Sequence, residues 1–421
     1  MRKILIVGAG QSGLQLALGL QSQGYEVTLM SNRTADEIRS GRVMSTQCMF
    51  HTALQHERDL QINFWESQAP RIEGLGVSVA APGSHAEPGG SQRAIDWVGK
   101  LDGYAQSVDQ RVKMAGWMET FAQRGGQLVI HGAAVSDLDF FASRYDLTLV
   151  SAGKGELVSM FGRDATRSPY DAPQRALAVA YVHGMGPRPE HPEFDAVRCN
   201  LVPGVGELFV MPTFTNSGRA DILFWEGIPG GPLDAFQGVK DPNEHLTLTL
   251  ELLEKFLPWE YARSTKVELT DAQGTLAGRY APTVRNPIGR LPSGGLVLGV
   301  ADVVVANDPI TGQGSNSASK CAAAYLASIV EHGDAPFDAA WMQATFDRYW
   351  QTAQHVTKWT NAMLAPPPEH VLNVIGAAGQ LQPVADRFAN GFNDPSDFEN
   401  FFFEPDKANA YLASLTGGPA A

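Results

Sequence analysis

Apolar positions fall into distinct periods along the chain. Ile4-Leu5-Ile6-Val7 is a short unbroken β-type run, and beyond Gly8-Ala9-Gly10-Gln11-Ser12-Gly13 the residues Leu14, Leu16, Ala17, Leu18 and Leu20 take up helical spacing. Gly24 ends that helix and Glu26-Val27-Thr28-Leu29-Met30 restores a strand, which predicts a βαβ opening. Residues 70–104 are rich in Gly, Pro and Ser and predict a loop or excursion. A helical pattern follows through Val112, Met114, Trp117, Met118 and Phe121, then a strand at Gln127–His131 and another at 145–150 that runs into Ser151-Ala152-Gly153. Between about 168 and 280, runs such as Ala176–Val182, Glu207–Met211 and Asp221–Trp225 predict an antiparallel sheet carrying one helix, His245–Phe256. A buried strand at 295–300 leads to Asp302, a Gly-rich turn at 307–314 and a helix from Ser315 to Val330. Residues 338–363 are an amphipathic helix, and the tail is helical in patches.

This order predicts an α/β fold, a Rossmann-like domain interrupted by a second domain. Residues 1–70, 105–165 and 281–333 form the first domain, 71–104 are an excursion into the second, 166–280 are the inserted antiparallel-sheet domain, and 334–421 form a C-terminal helical region.

The 421 residues carry 32 basic and 45 acidic side chains, a net charge of −13, and 44% are hydrophobic. That is enough for a large core, and an acidic chain without a Lys/Arg cluster is a poor nucleic-acid partner. Cys48, Cys199 and Cys321 are widely spaced, so neither a disulfide framework nor a metal site is indicated, and a cytoplasmic location is expected. The first apolar run stops after four residues and no segment approaches a membrane span, so no membrane association is expected.

Gly8, Gly10 and Gly13, with Gln11 and Ser12 between them, stand after a strand and before a helix. There the first glycine permits a tight turn, the second lets a pyrophosphate approach the backbone, and the third allows close helix–strand packing. The carboxylate that would hold a ribose hydroxyl at the end of the second strand is missing; Ser31, Asn32 and Arg33 stand there instead. A second constellation is Asp302 followed by Pro309-Ile-Thr-Gly312-Gln313-Gly314-Ser-Asn316. An Asp at a strand end can accept hydrogen bonds from a ribityl chain, and a Gly-rich helix start offers free N–H groups to the anionic edge of a reduced flavin.

With these motifs the chain resembles flavoprotein monooxygenases built like para-hydroxybenzoate hydroxylase. More closely it resembles the two-component FAD-dependent styrene and indole monooxygenases, the group E flavoprotein monooxygenases. The carrying segments are Val7–Leu14, Ser168–Leu177, Asn307–Asn316 and Lys358–Asn361. The Asp-Gly motif of the single-component hydroxylases is replaced by Ala152-Gly153-Lys154. The resemblance therefore implies reduced FAD supplied by a separate NAD(P)H-dependent flavin reductase, with no nicotinamide site on this chain. It also implies a C4a-hydroperoxide that epoxidises indole, toward indoxyl and indigo, or styrene-like alkenes.

Within the family the segment after Arg42 faces the ring and substrate. Here it is Ser45-Thr46-Gln47-Cys48-Met49, which looks like the indole branch, as do Ile72, Leu75 and Ala105; Thr46, Ile72, Leu75 and Ala105 take the substrate positions. Ser45, Gln47 and Met49 are thus the catalytic candidates, Gln47 to orient a substrate N–H or the peroxide. Arg42, Arg111 and Gly153 join the cofactor set. The alternatives are a styrene monooxygenase proper, a single-component NAD(P)H-dependent aromatic hydroxylase, and a flavin-carrying sensor. A homodimer is left open.

Overall fold

The computed structural model describes residues 2–86, 90–153 and 155–416. The chain opens with β1 (Lys3–Val7), α1 (Gln11–Ser22) and β2 (Glu26–Ser31), then α2 (Ala35–Arg39) and α3 (His51–Asp59). Two long strands follow, β3 (Ile72–Ala80) and β4 (Arg93–Ala105), then α4 (Gln110–Gln123), β5 (Gln127–Ile130), α5 (Val135–Ala142) and β6 (Leu147–Val150). Next come β7 (Ala176–His183), β8 (Asp195–Val202), β9 (Gly206–Thr215) and β10 (Gly218–Gly227), followed by α6 (Pro242–Phe256), α7 (Pro258–Ser264), β11 (Glu268–Leu269) and β12 (Thr275–Gly278). The chain continues through β13 (Thr283–Val284), β14 (Ile288–Arg290), β15 (Leu296–Gly299) and β16 (Val305–Ala306). It ends in helices α8 (Gly314–His332), α9 (Ala339–Met363), α10 (Glu369–Ala377), α11 (Gln382–Asn390), α12 (Phe398–Phe401) and α13 (Pro405–Thr416).

One sheet has the order β14-β15-β6-β1-β2-β5, parallel throughout except for β14 against β15. Its parallel strands reverse direction of addition at β1, and a ligand crevice forms outside the carboxyl ends of strands at such a point. Ile4, Leu5, Ile6, Leu147, Leu149 and Val297 are fully or almost fully buried, which explains why these strands read as continuous apolar runs.

The second sheet has the order β11-β7-β10-β9-β8-β3-β4, with β12 also on β7. Its alternation sends Ala178, Ala180, Leu208, Leu223 and Trp225 toward α6 and α7, where Leu253, Phe256 and Leu257 cover them. The opposite face carries Leu75, Val77, Val179, Tyr181, Phe209, Met211, Ile222 and Phe224. The C-terminal helices cover part of that face with Val374, Phe388, Trp359 and Phe398. Burial of each such side chain is worth about 1.5–3 kcal/mol, so the C-terminal region is an integral wall of the second domain.

Two expectations are corrected. Residues 70–104 are chiefly not a loop: β3 and β4 pair antiparallel and belong to the second sheet, while 87–89 lie outside the described residues. Within 166–280 the strands pair antiparallel as expected, and the parallel pair, β3 with β8, is where residues 71–104 join that sheet. The helix read from His245 starts earlier, at Pro242, because Asp241 accepts hydrogen bonds from the Asn243 and Glu244 N–H groups. Among the described residues no helix is long and apolar enough to cross a membrane.

Candidate functional site

Four loops leave the carboxyl ends of parallel strands side by side: Gly8–Gly13 after β1, Ser31–Arg33 after β2, Ser151–Gly153 after β6, and Val300–Asp302 after β15. Gly8 has φ +117, and a Cβ there would lie 2.8 Å from the Ser151 and Ala152 backbone. A Cβ on Gly13 would lie 2.0 Å from the Gly8 carbonyl oxygen, so both glycines are demanded by the protein's own packing. Gly10 differs. It is the N-cap of α1 at φ −88, and a Cβ would meet no atom within 4 Å. The space left open beside the free N–H groups at the start of α1 fits the pyrophosphate of a flavin dinucleotide.

The ends of β6 and β15 close on this point. Ser151 Oγ donates to the Gly8 carbonyl at 2.8 Å, and a Cβ on Gly153 would come 3.2 Å from Asp302 Cβ. Lys154, the third residue of that motif, lies outside the described residues. Asp302 is exposed beside Ala301, which holds φ +51 although it is not glycine, a conformation that costs about 1–3 kcal/mol. At β2 the buried Ser31 hydroxyl closes its own turn on Arg33, whose guanidinium lies 2.8 Å from Met44 Sδ, while Asn32 is exposed.

Pro309 opens a short turn capped by Asp308, Gly312 takes a left-handed φ of +61, and Gly314 begins α8. Cβ atoms on Gly312 and Gly314 would meet nothing within 4 Å, a second open cradle. Asn316, in the first turn of α8, accepts from the Phe50 N–H at 2.8 Å and donates to the Cys48 carbonyl at 2.8 Å. Gln313 donates to the Phe392 carbonyl at 2.9 Å. These two side chains therefore position neighbouring segments, while the backbone and the glycines line the cradle.

The Ser45–Met49 segment is pinned from four directions. Asn316 holds it from α8; Met49 exchanges backbone hydrogen bonds with Gln106 at the end of β4; and Gln110 of α4 donates to Ser45 Oγ at 2.8 Å. Tyr181 of β7 adds a hydrogen bond to the Ser45 carbonyl at 3.0 Å. Gln47 is 4% exposed; its amide N–H2 donates to the Val108 carbonyl, and its Oε1 is buried with no partner. Thr46 is half-buried.

Ile72 and Ala105 are cross-strand partners, and with Leu75 they are fully buried in one apolar cluster that also contains Cys48, Phe50, Tyr181 and Ile222. The structure thus brings three of the four substrate candidates together in one cluster with Cys48, while Thr46 lies outside it. Met49, by contrast, packs away from that wall with Ala53 and Leu54. Burial raises the Cys48 thiol well above its ordinary pKa, so it acts as an apolar surface and not as a thiolate.

Arg111 is buried in an ion-pair network with Asp109 and Asp271. Burial alone would weaken its charge, but Asp271 and Asp109 outweigh that and hold the guanidinium charged. Nε donates to Asp109, whose Oδ2 also lies 2.8 Å from Nη2 as an ion pair; Nη1 and Nη2 donate to Asp271, and Nη1 also to the Gly41 carbonyl at 3.4 Å. These contacts tie the guanidinium to Asp109, Asp271 and Gly41, so Arg111 fastens the loop that carries Arg42. Arg42 itself is exposed.

Sequence reasoning missed three groups. Tyr181 and Thr360 look like ordinary strand and helix residues, yet Thr360 Oγ1 meets Thr311 Oγ1 at 2.7 Å under the Gly312 turn. Beside the same turn, the buried Asp308 and Glu226 and the half-buried Glu207 form an acidic group relieved by Arg175, which chelates Glu207 at 2.8 and 3.0 Å. Arg175, Asp308 and Thr360 lie in the segments Ser168–Leu177, Asn307–Asn316 and Lys358–Asn361 that carried the resemblance, whereas Tyr181, Glu207 and Glu226 carried no signal.

Residues 153–263 match the family model described as "Styrene monooxygenase A putative substrate binding domain". The chain is 31% identical over 416 residues to styrene monooxygenase StyA of Pseudomonas fluorescens, covering 96% of each. It is 30% identical over 430 residues to the StyA of a Pseudomonas species, covering 100% of each. In structure it is similar to the flavin-dependent brominase Bmp2 (TM-score 0.67, 13% identity, 99% of each chain). It is also similar to the tetrameric form of 2-methyl-3-hydroxypyridine-5-carboxylic acid oxygenase (TM-score 0.53, 14% identity, 92% of this chain and 93% of that one). These two structural likenesses bear on the fold alone.

Proposed function

The chain belongs to the styrene monooxygenase family and is a flavin-dependent monooxygenase, and from that premise we propose that it is the oxygenase component of a two-component system acting on indole. Reduced FAD, delivered by a separate NAD(P)H-dependent reductase, supplies two electrons and, with dioxygen, the oxygen atom that adds across the indole C2–C3 bond; the second oxygen leaves as water.

The chain's own part is binding, orientation and exclusion of water. The open backbone at Gly10 receives the pyrophosphate, and the start of α8 at Gly312–Gly314 receives the polar edge of the ring. The wall of Ile72, Leu75, Ala105 and Cys48 keeps the reacting side dry, so oxygen is transferred before it is lost as peroxide. No side-chain nucleophile is required.

The observation that favours indole is Gln47. Its amide N–H2 is already engaged by Val108, which leaves a buried acceptor that an indole N–H would satisfy. Styrene has no donor, and leaving such an acceptor unpaired costs about 1–3 kcal/mol. Gln47→Leu removes the acceptor at similar volume. We expect the indole-to-styrene turnover ratio to fall roughly tenfold, with styrene turnover largely kept. A ratio unchanged in Gln47→Leu would favour the styrene reading that the relatives' names suggest.

A further inference from the structure

The chain as a whole is strongly acidic, yet one cavity is not. A cleft of about 340 Å³ lies between the loop carrying Arg42 and the 233–240 segment, with Gly278 and Arg279 after β12 on its third side. Three cations line it, Arg42, Lys240 and Arg279, against one carboxylate, Asp234. Asp234 is already used: one oxygen accepts from Arg279 Nη2 at 2.8 Å and the other from the Gly230 N–H at 2.9 Å. Arg42 and Lys240 make no hydrogen bond or ion pair among the described residues. The cleft therefore carries two uncompensated positive charges. Arg42's field reaches inward: His245 is held down at about 4, first by burial and then by Arg42.

Position adds to charge. Arg42 leads directly into Ser45–Met49, and Arg279 leads into Tyr280, whose hydroxyl donates to the Asn307 carbonyl at 2.6 Å at the start of the Gly312 turn. The cleft thus opens between the two segments that flank the crevice, but shares no wall with Gly8–Gly13 or Asp302. Two unpaired cations and a third held on one edge suit a ligand bearing two or more negative charges on tetrahedral oxygens: Arg offers a planar fork and Lys a point charge to such oxygens.

We propose that the cavity between Arg42, Lys240 and Arg279 is a phosphate-recognising subsite separate from the cradle at Gly10. It goes beyond the oxygenase reading and does not depend on it. The phosphate belongs either to a flavin dinucleotide on its way into the crevice or to a second phosphate-bearing molecule.

Inorganic pyrophosphate is the probe, titrated calorimetrically into the full chain without flavin and again at saturating FAD. Lys240→Glu and Arg279→Glu are the variants, both exposed positions outside the proposed catalytic set, with circular dichroism as the check on folding. Each should weaken pyrophosphate binding at least about tenfold. Binding that survives FAD saturation assigns the subsite to a second molecule; binding abolished by FAD assigns it to the dinucleotide's own phosphates. Affinity unchanged in both variants, or no binding to the wild-type chain in the millimolar range, overturns the proposal. The flavin-free arm reads the subsite even if the chain proves not to oxidise indole.

Discussion

Lys113→Met is the perturbation that ties stability to the cofactor cradle. Lys113 of α4 and Glu57 of α3 are 1% and 0% exposed and meet at 2.8 and 3.0 Å. Glu57 Oε1 also accepts from Gln11 Nε2 at 3.0 Å, and Gln11 is the residue after Gly10, at the first turn of α1. Removing the ammonium leaves a carboxylate buried with only an amide donor beside it. Breaking a buried pair on one side costs about 3–5 kcal/mol, a large part of the roughly 5–15 kcal/mol that holds a domain. Replacing both partners by apolar groups is far less costly, so Lys113→Met with Glu57→Leu should recover most of the loss. Urea unfolding followed by tryptophan fluorescence would measure this, Trp117 being 5.4 Å from Lys113 Nζ. FAD affinity should fall in the double variant, in which Gln11 loses its Glu57 acceptor. A single variant as stable as the wild type, or a double variant no better than the single, would refute the reasoning.

Gly10→Val should leave stability within about 0.5 kcal/mol, since its φ is ordinary and its Cβ meets nothing, but should abolish FAD binding in an ultrafiltration assay; Gly13→Ala, with a 2.0 Å clash, should destabilise the fold itself. Asn316→Ala removes the bonds to Cys48 and Phe50 and should raise the FAD dissociation constant about tenfold by releasing the Ser45–Met49 segment, whereas retained affinity would show that segment to be held without it. Burial, aided by neighbouring carboxylates, raises the Asp308 carboxyl to about 6 and Glu226 well above the ordinary range, so their stabilising share is complete at low pH and is lost as pH rises through about 6 and beyond. Glu226→Gln should therefore raise the urea midpoint at pH 8 by the equivalent of about 1–3 kcal/mol and change it little at pH 4; a variant weaker at pH 8 would contradict this.

Much of the crevice was legible because its chemistry is local: a strand, a glycine turn and a helix start are contiguous in Val7–Leu14 and again in Gly299–Asn316. The β3–β4 pair was hidden by its glycines, which read as a loop. In the fold they allow close approach: a Cβ on Gly76 would lie 1.7 Å from Arg198 Nη1, and one on Gly99 2.1 Å from the Ala385 carbonyl. Arg111 could not be placed from sequence, since its partner Asp271 is 160 residues away. Met49 and Cys48 are adjacent in an extended segment and face opposite ways, which residue type alone does not reveal. Glu226 occupies the same face of β10 as Ile222 and Phe224, so only the tertiary structure shows it to be buried beside Asp308.

The central claim is that this chain takes flavin already reduced and passes on one oxygen atom. The most direct measurement mixes the protein anaerobically with one equivalent of chemically reduced FAD and indole, with no nicotinamide and no reductase, then admits ¹⁸O₂. The account predicts close to one equivalent of ¹⁸O-labelled indoxyl, seen as labelled indigo. Stoichiometric hydrogen peroxide with no labelled organic product, or product formed only when NAD(P)H is added, would contradict it.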